Sequence, residues 1–178
     1  MQKKKLLTLF PEFAWIQDSA LREKTAQCWL EAIALGGWEL EDLDRIPFTL
    51  LISNCKISYR THVRSVTQMA VAAARIFNEQ YPQGPVMNLS RIASGALLHD
   101  IGKLLEYRYE NGQFVKSENG RLLRHPFSGA ALAAKYGLPD AVVHIIATHA
   151  KEGDSGYRTP ESILVHHADF MNFEPLRP

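Results

Sequence analysis

The sequence has only two cysteines in 178 residues, Cys28 and Cys55, and no Cys-x-x-Cys pair. That argues against a disulfide scaffold or a thiolate zinc module, and the two isolated thiols are expected to be reduced core residues. No run approaches the ~20 apolar residues needed to span a bilayer. Met1 to Pro11 is basic and then apolar over about five residues, short of the roughly 7–15 of a secretory signal. The expected location is cytoplasmic. Neither sign of charge is in excess: 20 basic against 19 acidic residues leave +1, which provides no electrostatic footprint for duplex nucleic acid or an anionic membrane. A small anionic substrate held by a local basic cluster remains compatible with that balance. No internal repeat or low-complexity tract is present.

What is there is an ordinary globular composition, 46% hydrophobic and 22% charged, in a length that fits one compact domain with a sizeable core. The patterning is helical almost throughout. Residues 19–35 read as a helix capped by Ser19 and stopped at Gly36-Gly37. A short amphipathic stretch then carries Leu40, Leu43 and Ile46 to Pro47. Over residues 59–81, Val63, Val66, Ala70, Val71 and Ala74 recur at helical spacing. Another helix begins near Leu89 and runs into His99 and Asp100. The period then shortens, and residues 107–116 read as a β-hairpin turning at Asn111-Gly112. Helices follow over residues 126–136, 139–148 and 160–173, with Pro139 and Pro160 at first helical positions and Thr159 as a cap. The predicted fold class is all-α, with one small β-hairpin inserted. Trp15, Trp29 and Trp38 are expected in the core, with an interaction surface as the alternative.

The densest chemistry lies in Ala96-Leu97-Leu98-His99-Asp100-Ile101-Gly102-Lys103. Two potential metal ligands are adjacent, about 100° apart if helical, so both can face one cleft that the helix flanks. His62 precedes them; His125, His149 and Asp169 follow. A lone histidine on a helix is more often packed or solvated than a ligand, and His144 and His167 are read that way. Asp169 lies among Leu164, Val165, Ala168 and Phe170, where an uncompensated carboxylate would be costly. Six nitrogen and oxygen donors suit one or two divalent ions. Lys103, on the same side as His99 and Asp100, is placed to hold a phosphate oxygen.

The ordered series His62, His99-Asp100, Asp169 resembles the HD-domain superfamily of metal-dependent phosphohydrolases, over residues 59–173. The resemblance implies an HD-type helical bundle with the metal in a cleft among helices. Residues 1–58 carry no such resemblance and are read as a helical segment packed on a core of residues 59–178. Arg124-His125-Pro126-Phe127-Ser128-Gly129-Ala130 and Ala147-Thr148-His149 look like the two further histidine motifs of members that hold two ions. That likeness implies a bridging Asp100, with His62, His99 and Asp169 on one ion and His125 and His149 on the other. The implied cofactor is a pair of divalent ions, iron or manganese, with magnesium, nickel or zinc as alternatives.

The implied activity is hydrolysis of a phosphoester or phosphoanhydride in a nucleotide-like substrate by a metal-activated hydroxide. Asp100, Lys103 and His166 are the expected catalytic residues, His166 protonating the leaving oxygen; Lys103, Arg60 and Arg124 are expected on substrate phosphates. The alternative is a nucleotide-binding regulatory module without turnover. The expected partner is a small phosphorylated molecule, neither duplex nucleic acid nor membrane, and a homodimer contact through residues 1–58 stays open. Three groups compete. Cyclic-dinucleotide phosphodiesterases of the HD-GYP type are approached by Asp154-Ser155-Gly156-Tyr157-Arg158, which is one residue short and lacks the proline. Exoribonucleases with an HD domain share Glu118 to His125 and the His166–Asp169 spacing, but carry an oligonucleotide-binding barrel of which residues 1–58 show no sign. Diadenosine-tetraphosphate hydrolases are similar in Ala168-Asp169 and Glu174-Pro175-Leu176-Arg177, and fit best.

Overall fold

A computed structural model describes residues 1–177 and contains helices α1 (Gln2–Leu9), α2 (Ser19–Gly36), α3 (Tyr59–Gln80), α4 (Leu89–Leu98), α5 (Lys103–Glu106), α6 (Glu118–Leu122), α7 (His125–Lys135), α8 (Asp140–Thr148) and α9 (Pro160–Phe173). One two-stranded sheet, β1 (Tyr107–Glu110) and β2 (Gln113–Lys116), sits between α5 and α6. The fold is all-α with a hairpin. Among the described residues, no helix is long and apolar enough to cross a membrane. The expected core boundary at Pro178 lies outside the described residues.

Helix α4 explains the architecture. Every residue from Ile92 to Leu98 is buried, so the helix is covered on all sides and must be central. Helices α2, α3, α8 and α9 and the 3₁₀ turn Pro11–Trp15 pack around it. Asn88 caps it by accepting the Arg91 N–H, which supplies one of the partners its first turn lacks. Helix α3 starts on Ser58 in the same way and buries Val63, Val66, Ala70, Val71 and Ala74 along one stripe, as expected from their spacing.

The N-terminal segment is tied to this centre. Trp29 donates from its indole to the Leu97 carbonyl (3.1 Å), Trp38 to that of Leu104 (2.8 Å), and Thr25 pairs with Ser94 (2.7 Å). Leu6 and Phe10 are fully buried, Phe10 at 4.6 Å from the Trp29 ring. Cys28 is buried in α2 and Cys55 is half-buried; both are free.

Several local expectations need correction. The cap of α2 is Asp18, whose carboxylate accepts from Ala20 and Leu21, not Ser19, which is the first helical residue. Pro139 stands at the N-cap of α8, not at its first helical position, whereas Pro160 and Thr159 sit as predicted. Helix α7 begins at His125, one residue before Pro126. The hairpin registers Tyr107 with Lys116 and Glu110 with Gln113. Asn111 and Gly112 both take positive φ, 50° and 81°, the combination a two-residue turn of this twist requires.

Candidate metal centre

The largest departure from the sequence reading is also the basis of the site. His99 and Asp100 do not continue α4: His99 is its C-cap, and residues 99–102 form a turn into α5. The last carbonyls of a helix lack intrahelical partners, and the side chain of the cap residue meets that need. His99 Nδ1 lies 2.6 Å from the Ala96 carbonyl. Helix α8 ends identically on His149, whose Nδ1 lies 2.7 Å from the Ile146 carbonyl. A carbonyl only accepts, so each Nδ1 carries the proton and each Nε2 presents a bare lone pair. His125, first residue of α7, faces Glu106 Oε2 through Nδ1 at 3.2 Å, with the same result.

These lone pairs converge. His99 Nε2 is 3.3 Å from His62 Nε2, and His125 Nε2 is 3.2 Å from His149 Nε2. Asp100 stands between the two pairs. Its Oδ2 is 3.3 Å from His62 and 3.4 Å from His99; its Oδ1 is 3.3 Å from His125 and 3.7 Å from His149. Asp169 completes the first group, 3.1 Å from His62 and 3.9 Å from His99. His62, His99, Asp100, His125 and His149 are all buried, and Asp169 is half-buried.

Two observations indicate that the donors fit divalent cations. Asp100 Oδ1 is buried and has no hydrogen-bond partner, an arrangement that costs on the order of 1–3 kcal/mol or more for a charged group. The bare nitrogens of His125 and His149 repel at 3.2 Å, yet that is the separation of two donors on one ion, since metal–nitrogen bonds of ~2.1 Å meeting near 90–110° span about 3.0–3.4 Å. Each half of the cluster, His62-His99-Asp100 and Asp100-His125-His149, offers donors within 4.8 Å of one another.

The electrostatics agree. Burial alone would raise the Asp100 pKa, but the Lys103 ammonium beside it and the imidazoles gathered around it hold it well below the carboxylate range. Burial would lower that of His62; its bonds to Asp100 and Asp169 outweigh this and raise it. Burial pushes His125 down to about 4, which keeps it neutral and available as a ligand.

Residues 59–171 match the family model described as HD domain. The chain belongs to the HD domain family. Among curated relatives, a dihydroneopterin 2',3'-cyclic phosphate phosphodiesterase of Methanocaldococcus jannaschii is 38% identical over 112 residues, 61% of this chain and 43% of that protein. Ribonuclease Y of Acidothermus cellulolyticus is 38% identical over 81 residues, and that of Clostridium perfringens 40% over 86, in each case 14% of the ribonuclease. The chain therefore spans less than half the length of these relatives. No solved structure matches it significantly.

A cavity of about 320 Å³ opens on this HD-domain cluster, with His125, Asp169 and Lys103 in its lining. Phe48, Leu50, Phe170 and Phe173 form apolar walls, and Lys116, Arg124, Lys151 and Arg177 bring positive charge. The Phe48 ring stacks on His62 at 4.4 Å.

The other predicted residues fall in different places. Lys103 is buried, and its ammonium donates to Asp100 Oδ2 and the Phe48 carbonyl, both at 2.7 Å; it anchors the central carboxylate. Arg124 lines the cavity but is held by Glu106 (2.6 Å) and Glu152 (3.0 Å). Arg60 pairs with Asp44 at 2.7 Å and lines a separate groove with Arg64. His166 does not line the cavity: its Nδ1 lies 2.6 Å from the His149 carbonyl, so it braces the turn that carries His149. His144 accepts the Thr159 N–H at 3.2 Å and lies outside both clusters. Sequence reasoning missed Glu106, Phe48 and Tyr59, whose hydroxyl donates to the Asp100 carbonyl at 3.0 Å. A signal existed for Glu106, an acid three residues past Lys103 in an otherwise apolar turn.

Proposed function

We propose that this HD domain is a metal-dependent phosphohydrolase that cleaves a small phosphodiester in the cavity above Asp100. The observation carrying the proposal is the partnerless Oδ1 of Asp100, flanked by the bare Nε2 atoms of His125 and His149 while Oδ2 faces His62 and His99. His62, His99 and Asp169 would hold one ion and His125 and His149 a second, with Asp100 as the ligand shared between them. Histidine–carboxylate donor sets of this kind suit iron or manganese. When bound, such ions supply Lewis acidity, which lowers the pKa of water toward neutrality and offsets charge developing on phosphoryl oxygens.

The chain's own residues do the rest. Lys103 holds Oδ2, so the carboxylate cannot rotate and Oδ1 stays turned to the second site. Lys116, Arg124 and Lys151 make the cavity mouth attractive to an anion. Phe48, Phe170 and Phe173 offer apolar surface for a planar ring. A cavity of about 320 Å³ suits a compact ligand, being at the small end of the ~300–1,000 Å³ of ligand pockets. The cyclic phosphodiester in the name of the archaeal relative is of that size class and charge. His166, tied to the His149 carbonyl, is assigned a bracing role in place of the acid expected from its spacing.

The test is hydrolysis of 2',3'-cyclic nucleotides and of bis(4-nitrophenyl) phosphate by the protein reconstituted with Mn(II) or Fe(II). Turnover is expected, abolished by chelation and reduced at least 1,000-fold by Asp100→Ala with helical content retained. Two bound ions with no turnover on any phosphodiester would replace the enzyme by a nucleotide-binding module. Full activity in Asp100→Ala would remove the bridging assignment.

A further inference from the structure

Three of the candidate ligands are histidines with an assignable Nδ1 partner, and they are not supported alike. His99 and His149 lean on neutral backbone carbonyls at the C-terminal ends of α4 and α8, where the partial negative charge of the helix favours a cation. His125 is different. It is the first residue of α7, and the N-terminal end of a helix carries partial positive charge and repels a cation. At that end lies Glu106, buried to 1% exposure. One oxygen, Oε2, takes both the His125 backbone N–H at 2.9 Å and the Nδ1 proton at 3.2 Å. The other, Oε1, receives Arg124 at 2.6 Å and Lys116 at 3.1 Å.

The placement of Glu106 is built in. It closes α5, its backbone N–H donating to Gly102 at 2.9 Å and its carbonyl accepting from Ser117 at 2.8 Å. Gly102 in turn touches His125: a Cβ there would come within 2.1 Å of the His125 carbonyl oxygen. The turn carrying Asp100 and the helix carrying His125 are thus held at contact, with Glu106 spanning them.

We infer that Glu106 is a positioning residue for one of the two ions only: it aims His125 and offsets the positive end of α7, so that the His125–His149 site depends on it and the His62–His99–Asp169 site does not. The inference rests on the two-ion reading above. A carboxylate behind a ligating imidazole raises its donor strength, and its loss typically weakens metal binding ~10–100-fold. Lys116 and Arg124 occupy only the oxygen turned away from His125, and both line the cavity.

The experiment is Mn(II) titration of metal-free wild type and Glu106→Gln, followed by electron paramagnetic resonance, with far-UV circular dichroism for the fold. Wild type is expected to take two ions and give an exchange-coupled spectrum. Glu106→Gln is expected to bind the first ion within about threefold of wild type and the second ~10–100-fold more weakly, giving the six-line spectrum of an isolated ion at equal loading. In a His125→Ala background, Glu106→Gln should cause no further loss, because it acts through that imidazole. Two ions bound normally in Glu106→Gln, or both weakened equally, would overturn the inference. A wild type that binds no Mn(II) would overturn the two-ion reading and this inference with it. If Glu106→Gln does not fold, Lys116→Met takes its place: unloading Oε1 should leave the second ion at least as tightly bound, and a tenfold weakening would overturn the role.

Discussion

Asp100 is the residue around which the buried histidines gather, and Lys103 is what makes it tolerable without metal. Both groups are buried and 2.7 Å apart. Removing one partner of such a pair leaves an uncompensated charge and costs about 3–5 kcal/mol. Lys103→Met is therefore expected to lower the melting temperature of the metal-free protein by roughly 6–20 °C, at about 2–4 °C per kcal/mol for a chain of this size. With ions bound, Asp100 has other positive partners and the loss should shrink; calorimetry with and without Mn(II) checks this, and equal losses would contradict it. The two thiols offer a simpler test. Burial, helped by Glu31, pushes Cys28 up to about 12, so it carries almost no thiolate at neutral pH. Iodoacetamide at neutral pH is expected to label Cys55 and spare Cys28 in the native chain, read by peptide mass mapping. At this scale the sequence was informative about which side chains the fold gathers, because five of them are histidine or aspartate in recognisable motifs and Asp169 lies in an apolar stretch. It was silent on partners. Lys103 and Arg60 already have partners, Asp100 and Asp44, which no spacing rule reveals.

At the level of elements, periodicity located the long helices, since α3 and α9 follow stripes and caps legible in the chain. It misplaced His99 and Asp100, because His-Asp-Ile-Gly-Lys continues a helical pattern and only tertiary contact breaks it. The cause is Gly102. Its missing Cβ lets the turn press against α7, where an added methyl would lie 2.1 Å from the His125 carbonyl oxygen and 2.8 Å from the Gly129 nitrogen. Backbone cannot move aside as a flexible side chain can. Gly102→Ala is expected to cost about 1–3 kcal/mol or more and to pull His125 away from His149. A lowered unfolding midpoint together with loss of one bound ion, by urea titration and elemental analysis, is the expected result; a variant with normal stability would mean the two segments are not in contact. Helices α1 and α6 escaped notice for a different reason. They are 8 and 5 residues long, too short for isolated helix stability, and exist by packing.

For the whole molecule, candidate ligands drawn from four regions of the chain, α3, the turn after α4, the α7–α8 pair and α9, meet only in the folded state. An ion bound there stabilises the fold by mass action, about 2.7 kcal/mol at a free concentration of 100 times the dissociation constant. The melting temperature is expected to rise by roughly 5–11 °C on that basis, and to fall back on adding chelator. Unchanged melting in Mn(II) would count against a preformed site. The hydrogen bonds from Trp29 and Trp38 have a further consequence. They end on Leu97 and Leu104, on either side of His99 and Asp100, yet both tryptophans lie outside the 59–171 stretch that carries the family signature. What is inherited in common with relatives and what must fold together are therefore different lengths of polypeptide. A fragment cut where the likeness begins would keep every candidate ligand and lose the indole donors that flank two of them.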